Sequence, residues 1–586
     1  MINKYIYLFV ALLFLSAAGC KKSESENPTP TTPTTPGASS IKLSTDKAIY
    51  SPGNTVTIQV EGNLPGAAKV RYRHLGEVVG EATASGSSWT WQPPTADFKG
   101  YMVEVYDVQN GEEKVLASIG VDVSSNWAKF PRYGFLSQFP SMTEAQTKAV
   151  IDNLNRYHIN GLQFYDWHYK HHQPLAGTPE NPEPKWRDIF NRELYFSTVK
   201  NYISQAHDRN MKAMFYNLIF GAWKGAEAEG VSNEWYLYTD RNHQNKDKHP
   251  LPQPPFLSDI FLLNPANTSW QNYLVQENRK VYQALPFDGF HMDQLGDRNT
   301  SLFTYNGAAV DLANTYKPLI EAVKADKPNH DLVMNSVNQY GQQGIAEAPT
   351  SFMYTEVWGP NDTYADLARI IQENNAFSNN TKNTVLAAYM NYDVANKKGS
   401  FNTPAVLLTD AVIFAFGGAH LELGEHMLAK EYFPNNNLSM KGDLQKALPV
   451  YYDFLVAYQN LLRDGGTFNQ PVLSSIGQVR LNNWPAQRGE VAVIGKEVGN
   501  RQLIHLINFT NATTMNWRDN SGTQPYPQAI QNVKLTLSTN KPVKRVWFAS
   551  PDYQQGVPQE ITFTQNNGQV MFTLPYLQYW DMLVIE

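Results

Sequence analysis

The sequence predicts a multidomain fold: a central (β/α)8 TIM barrel flanked by an N-terminal immunoglobulin-like β-sandwich and a C-terminal antiparallel β-sandwich. Three observations predict it. The chain has 586 residues, more than one hydrophobic core accommodates. Residues 126–465 alternate apolar runs with helical stretches, the pattern of βα units around a parallel sheet. Residues 41–125 and 466–586 carry short runs of period-2 alternation broken by turn residues, the pattern of sandwiches.

In chain order, residues 1–20 read as a signal segment: a basic start ending in Lys4, an apolar stretch from Tyr5 to Ala18, and small residues Ala17-Ala18-Gly19 before Cys20. The stretch is too short for a membrane span. It resembles a bacterial lipoprotein signal in which Cys20 is lipidated, although Ala17 stands where a branched aliphatic is usual. The expectation is an outer-membrane lipoprotein of the cell envelope, touching the membrane through its lipid anchor only. A single cysteine leaves no intrachain disulfide and no cysteine-based zinc site. Residues 21–40, rich in Pro, Thr and Ser, predict a disordered tether.

The N-terminal sandwich follows, with strand-like runs Thr55–Val60, Ala68–Arg73, Tyr101–Tyr106 and Val115–Val121 and no catalytic constellation. Eight strand candidates then fill the barrel region: 132–139, 161–167, 212–219, 288–295, 331–337, 351–358, 384–391 and 417–423. Helical periodicity marks Thr143–Tyr157, Leu194–Arg209, Asn267–Ala284 and Leu312–Ala325 between them. The longest insertion, about 220–260, follows the third strand. Beyond the helix near Leu448–Arg463 the pattern returns to β through Trp580–Ile585.

A net charge of −6 argues against a nucleic-acid partner, which requires a basic surface. Aromatics make up 12 % of residues, with 32 Tyr and 13 Trp; such rings serve large cores and also suit sugar faces. Two runs, Gly289–Arg298 and Ser351–Trp358, read as buried strands ending in an acid. Alternation puts His291 and Asp293 on one face, opposite Phe290 and Met292, and Tyr354, Glu356 and Trp358 on one face, opposite Met353 and Val357. Carboxylates so placed are unfavourable unless partnered or working. Two of them at different strand ends, beside aromatics, suggest an acid/nucleophile pair for glycosidic bonds.

Barrel chemistry sits at the C-terminal ends of strands. Read there, the sequence supplies Tyr165, Asp166 and His168; Tyr216 and Asn217; His291, Asp293 and Gln294; Asn335 and Asn338; Glu356 and Trp358; Tyr389 and Asn391; and His420, Glu422 and Glu425. Such a rim of hydrogen-bonding groups and flat rings suits a sugar cleft. His168, His171 and His172 have no carboxylate at a firm ligand spacing, so neither metal nor cofactor is expected. Asp297 and Arg298 read as a rim ion pair. Asp166 reads either as a sugar-hydroxyl acceptor or as an ion-pair partner of Lys170 or Arg298. Glu422 and Glu425 either touch sugar or only order the last loop. With other acids available, the residues alone leave the Asp293/Glu356 assignment open.

Ordered blocks narrow it. Gln163–His171, Lys212–Asn217, Phe287–Gly296, Tyr354–Trp358 and His420–Gly424, with Glu431–Pro434 and Tyr451–Phe454, resemble the signature blocks of glycoside hydrolase family 66 from about residue 131 to 464. That family contains endo-dextranases and cycloisomaltooligosaccharide glucanotransferases. The resemblance implies a retaining mechanism on α-1,6-glucan (dextran or isomaltooligosaccharides) by a monomer, with Asp293 as nucleophile and Glu356 as acid/base. It implies sugar binding by Tyr165, Asp166, His168, Asn217, His291, Gln294, Trp358, Tyr389, His420 and Glu422. Typical cyclising members carry an inserted carbohydrate-binding module for which this chain has no room, which favours endo-hydrolysis to isomaltooligosaccharides. Cyclising transfer, a non-catalytic surface glycan-binding lipoprotein and a glucose-releasing exo-enzyme are the alternatives.

Overall fold

The computed structural model describes residues 41–586 apart from positions 85 and 478. The expected signal segment, Cys20 and tether lie outside the described residues. Eight parallel strands form one sheet in sequence order: β1 (Tyr133–Leu136), β2 (Gly161–Phe164), β3 (Lys212–Leu218), β4 (Gly289–Asp293), β5 (Asp331–Val337), β6 (Met353–Glu356), β7 (Thr384–Ala387) and β8 (Ala419–His420). Each lies inside one of the eight runs expected from sequence. The Phe135 N–H donates to the Leu423 carbonyl at 3.0 Å just past β8, which brings the last strand round to the first.

Each strand is followed by a helix: α1 (Glu144–Arg156), α2 (Phe196–Asp208), α3 (Thr268–Ala284), α4 (Tyr316–Asp326), α5 (Gln342–Glu347), α6 (Tyr364–Phe377), α7 (Thr403–Ala415) and α8 (Gly442–Ala457). Local chemistry fixes their starts. Thr143 and Gln146 form a capping box on α1, and Thr363 and Asp366 another on α6. Helix α7 begins on the Asn402 cap with Pro404 in its first turn, and every residue of it is buried.

The pleat separates two cores. Tyr133, Phe135, Met214, Val333, Tyr354, Val385, Ala387, Tyr389, Ala419 and Leu421 pack together inside the barrel. Phe164, Phe215, Phe290, Met292, Met334 and Leu386 face outward and pack with helix residues such as Ile151, Val199, Leu274 and Ile371. Each such side chain contributes about 1.5–3 kcal/mol of burial free energy, so a one-residue slip of any strand exchanges two full layers.

Before the barrel, a three-stranded and a four-stranded antiparallel sheet enclose a core including Val56, Ile58, Val103 and Ile119. Helix α8 lies against this region so closely that a Cβ on Gly100 would stand 2.0 Å from the Val456 carbonyl oxygen; only glycine fits. Asp453 of α8 accepts from the Gly120 N–H, the Arg156 guanidinium and His158. After the barrel, a seven-stranded and a four-stranded sheet enclose Val493, Ile504, Leu535, Phe572 and Leu583. Among the described residues no helix is long and apolar enough to cross a membrane.

Candidate active site

Inward-facing side chains at the C-terminal ends of β4, β5 and β6 meet at one point. Register explains it: Met292 pairs with Met334, so the next residues along, Asp293 and Asn335, stand side by side, while Asn335 pairs with Tyr354, two residues before Glu356. The Asn335 Nδ2 donates to Asp293 Oδ1 at 2.8 Å and to Glu356 Oε2 at 3.1 Å. Two oxygens that share one nitrogen this way are no more than about 6 Å apart, which accommodates the ~5–5.5 Å of a retaining carboxyl pair. Both carboxyls keep partial exposure, so the pair opens to solvent.

Each carboxyl has its own phenol. Tyr216 donates to Asp293 Oδ2 at 2.6 Å and Tyr389 to Glu356 Oε1 at 2.6 Å. Burial raises the Asp293 carboxyl, while donors from Tyr216, Asn335 and the Gln294 backbone hold it down. Burial, and then the charge of Asp293, pushes Glu356 up to about 7. Three donors hold each carboxyl down, Tyr389, Asn335 and Trp358 in the case of Glu356, and the charge of Asp293 is what sets Glu356 apart, poising it to exchange a proton near neutral pH.

Aromatic rings surround the pair. The Tyr165 ring stacks on Phe433 with centroids 4.2 Å apart, and its hydroxyl donates to the Glu431 carbonyl. Trp358 packs 5.4 Å from Tyr389 and 5.8 Å from Tyr392. Asp166 turns the chain out of β2 in a left-handed conformation, φ 48°, and burial raises its carboxyl to about 8 against the opposing charge of Arg192. It pairs with neither Lys170, which binds Glu229, nor Arg298, which binds Asp247. The expected Asp297–Arg298 pair is thereby corrected as well, Asp297 capping the Asn299 N–H instead.

Several expected sugar contacts are turned elsewhere. Asn217 follows the inward Tyr216, so the pleat points it outward; it is fully buried and donates to the His171 carbonyl at 2.7 Å. Gln294 is spent on its own loop, accepting from Tyr316 and the Gly296 N–H and donating to the Tyr340 carbonyl. His420 and Glu422 alternate with the inward Ala419 and Leu421 and therefore face the helices. There His420 Nδ1 lies 2.8 Å from Asp410 of α7, its Nε2 donates to the Ala388 carbonyl, and Tyr452 of α8 donates to Glu422. His291 does face inward, but beneath the pair, 1 % exposed between the Tyr133 and Tyr216 rings. His168 is sealed against His171. Glu425 orders the loop, accepting from the Ser137 and Gln138 N–H groups.

Tyr216 and Asn335 are visible in the sequence as strand-end residues without a role, Phe433 lies in the Glu431–Pro434 block without a role, and Tyr392 has no local signal. His171 accepts from the Trp223 indole and His172 lies 2.7 Å from Glu229, so the histidine run is committed to packing. Among the described residues one group, Asp410, His420 and Glu422, is close enough to hold a metal ion, and it is sealed behind β8, away from the carboxyl pair.

Comparison with known proteins agrees with this geometry. Residues 45–584 match the family described as Glycosyl hydrolase family 66. A cycloisomaltooligosaccharide glucanotransferase of Niallia circulans is 29 % identical over 93 % of this chain and 72 % of its own length. A dextranase of Streptococcus salivarius is 24 % identical over 83 % of this chain and 67 % of its own. The crystal structure of a Paenibacillus sp. cycloisomaltooligosaccharide glucanotransferase complexed with cycloisomaltoheptaose superposes with a TM-score of 0.83 at 27 % identity, covering 92 % of this chain and 99 % of that one. The chain belongs to glycosyl hydrolase family 66 and is an enzyme of the glycosidase type.

Proposed function

We propose that this enzyme cleaves α-1,6-glucosidic bonds inside dextran by double displacement, with Asp293 as nucleophile and Glu356 as acid/base. The observation that carries the reading is the single Asn335 amide reaching both carboxyls, since a retaining pair requires this proximity. In the first step Glu356 gives its proton to the glycosidic oxygen while an Asp293 oxygen bonds to C1, forming a glycosyl ester and releasing the leaving chain. That ester removes the negative charge that helps to raise Glu356, so Glu356 becomes the carboxylate the second step needs. It then takes a proton from water, the water oxygen bonds to C1, and Asp293 leaves as carboxylate. Tyr165, Trp358 and Tyr392 supply faces for the flanking sugars, and Asp166 a hydroxyl partner.

The names of the relatives support an α-1,6-glucan substrate, and two of the three name a transferase, so cyclising transfer is the second reading. Hydrolysis is favoured because the alignment to the Niallia circulans transferase runs over 704 positions, more than the 586 residues of this chain; that relative carries segments absent here. Product analysis on dextran, with Asp293→Asn and Glu356→Gln as controls, tests both. The expected result is a ladder of linear isomaltooligosaccharides with new reducing ends. Cyclic products instead establish transfer, glucose as first product establishes exo-cleavage, and binding without new ends establishes a glycan-binding protein. The lipid anchor at Cys20 stays part of the proposal, tested by acyl labelling that Cys20→Ala should abolish.

A further inference from the structure

The C-terminal region sends the segment 511–524 back to the barrel mouth. Trp517 donates through its backbone N–H to the Asp362 carbonyl and through its indole to the Asn361 carbonyl, at 3.0 and 2.8 Å. Asn391, just past β7, donates its backbone N–H to the Arg518 carbonyl at 2.7 Å and its side-chain amide to the Asp519 carbonyl at 2.8 Å. Between these anchors Arg518 is 5 % exposed. Its guanidinium donates to the Val357 carbonyl at 2.8 Å and the Tyr389 carbonyl at 3.2 Å. It also lies 4.5 Å from the Trp517 ring, 5.2 Å from Trp358 and 5.6 Å from Tyr392.

Among the described residues Arg518 has no carboxylate at ion-pair distance. A buried cation without a counter-ion is unfavourable unless carbonyls and ring faces replace water, and burial indeed lowers its pKa, with Asp362 and Glu356 among the opposing charges. The two carbonyls it binds are informative. Val357 directly follows Glu356, and Tyr389 is the phenol that donates to Glu356. The ladder between β6 and β7 ends with the Val357 N–H on the Ala387 carbonyl; past that point the Arg518 fork joins the two strand ends.

We propose that Arg518 is a positioning residue for Glu356, delivered to the barrel mouth by the C-terminal region. The inference rests on the reading of Glu356 as acid/base. The fork holds the Glu356 and Tyr389 backbones in fixed relation, seats the Trp358 ring, and places a positive charge where it favours the carboxylate form of Glu356 needed in the second step.

The test uses the full chain carrying Arg518→Met and Arg518→Lys, with two substrates: dextran, whose leaving oxygen needs a proton, and a 2,4-dinitrophenyl α-isomaltoside, whose leaving group does not. Arg518→Met should lose about 10- to 100-fold in kcat/KM on dextran but less than about threefold in kcat/KM on the activated substrate, whose first step needs no proton from Glu356. The basic limb of its kcat/KM profile should move to higher pH, because removing the cation raises Glu356. Arg518→Lys, which keeps the charge but reaches one carbonyl, should recover part of the rate with the limb unmoved, and it carries the test should the Met variant fail to fold. Equal losses on both substrates with an unmoved limb overturn the proposal. Glu356→Gln is assayed alongside: if it shows no preference for the activated substrate, the acid/base reading itself fails, independently of Arg518.

Discussion

Asp293, Asn335 and Glu356 on the inner face of the barrel, and Asp410, His420 and Glu422 behind β8, are two clusters of similar composition. In each, two carboxyls meet around one nitrogen-bearing side chain: the Asn335 amide at 2.8 and 3.1 Å, the His420 Nδ1 at 2.8 and 3.5 Å. In each, burial raises the carboxyls, Glu356 to about 7 and Glu422 to about 8. The difference is access. Asp293 and Glu356 are partly exposed beside Trp358, whereas Asp410, His420 and Glu422 are at most 1 % exposed and pinned by α7 and α8. A raised carboxyl pKa therefore reports burial, and the face of the strand decides whether the group meets a substrate.

The sharpest way to break this comparison is to exchange acids for amides in both clusters. Asp293→Asn or Glu356→Gln should lower dextran cleavage by about 10³-fold or more while leaving the melting temperature unchanged or higher, since catalytic carboxyls are held at the expense of stability. Asp410→Asn and Glu422→Gln should retain kcat within a few-fold and move stability instead. Loss of turnover in a folded Glu422→Gln protein would undo the distinction between the two faces.

A smaller effect is expected at the nitrogen the inner pair shares. Hydrogen bonds from Asn335 lower both Asp293 and Glu356, so Asn335→Ala should raise both and move the acid and basic limbs of kcat/KM to higher pH together. The rate at the optimum should fall about 10- to 100-fold as the two carboxyls lose their fixed spacing. Limbs that stay in place would show that Asn335 only packs.

The barrel strands were legible because short apolar and aromatic runs recur between helices; pleat parity with His291 and Tyr354 made Asp293 and Glu356 candidates among several acids, and the ordered blocks resembling family 66 narrowed the choice to them. The faces of other residues were not. Both sides of a parallel barrel strand are buried, so polarity does not tell inward from outward: Tyr216 and Asn217 are equally plausible neighbours, and only the interior packing of Tyr216 against His291 decides. At and just past β8 the inward residues Ala419 and Leu421 are apolar, so the polar His420 and Glu422 look like cleft residues when they in fact bind helices. Arg518 reaches Tyr389 across 129 positions, and no local pattern announces a contact of that span.

The least effect, and the one most specific to the sealed cluster, concerns pH and stability. Burial, and then Asp410, raises Glu422 from an ordinary 4.5 to about 8. Between those values the folded state keeps a proton that the unfolded state has released, so stability declines as pH rises through this window, and the loss is complete above about 8. Glutamine cannot ionise, and its carbonyl can still accept from Tyr452, which donates to Glu422 at 3.0 Å. Glu422→Gln should therefore gain on the wild type by up to a few kcal/mol between pH 5 and pH 8, read by denaturant unfolding at both values. The inner pair predicts the same sign for Glu356→Gln but a smaller gain, since Glu356 is raised less, to about 7, and keeps contact with solvent. Parallel stability profiles for wild type and Glu422→Gln would mean that the cluster behind β8 is not held protonated, and the contrast between the two faces would then rest on access alone.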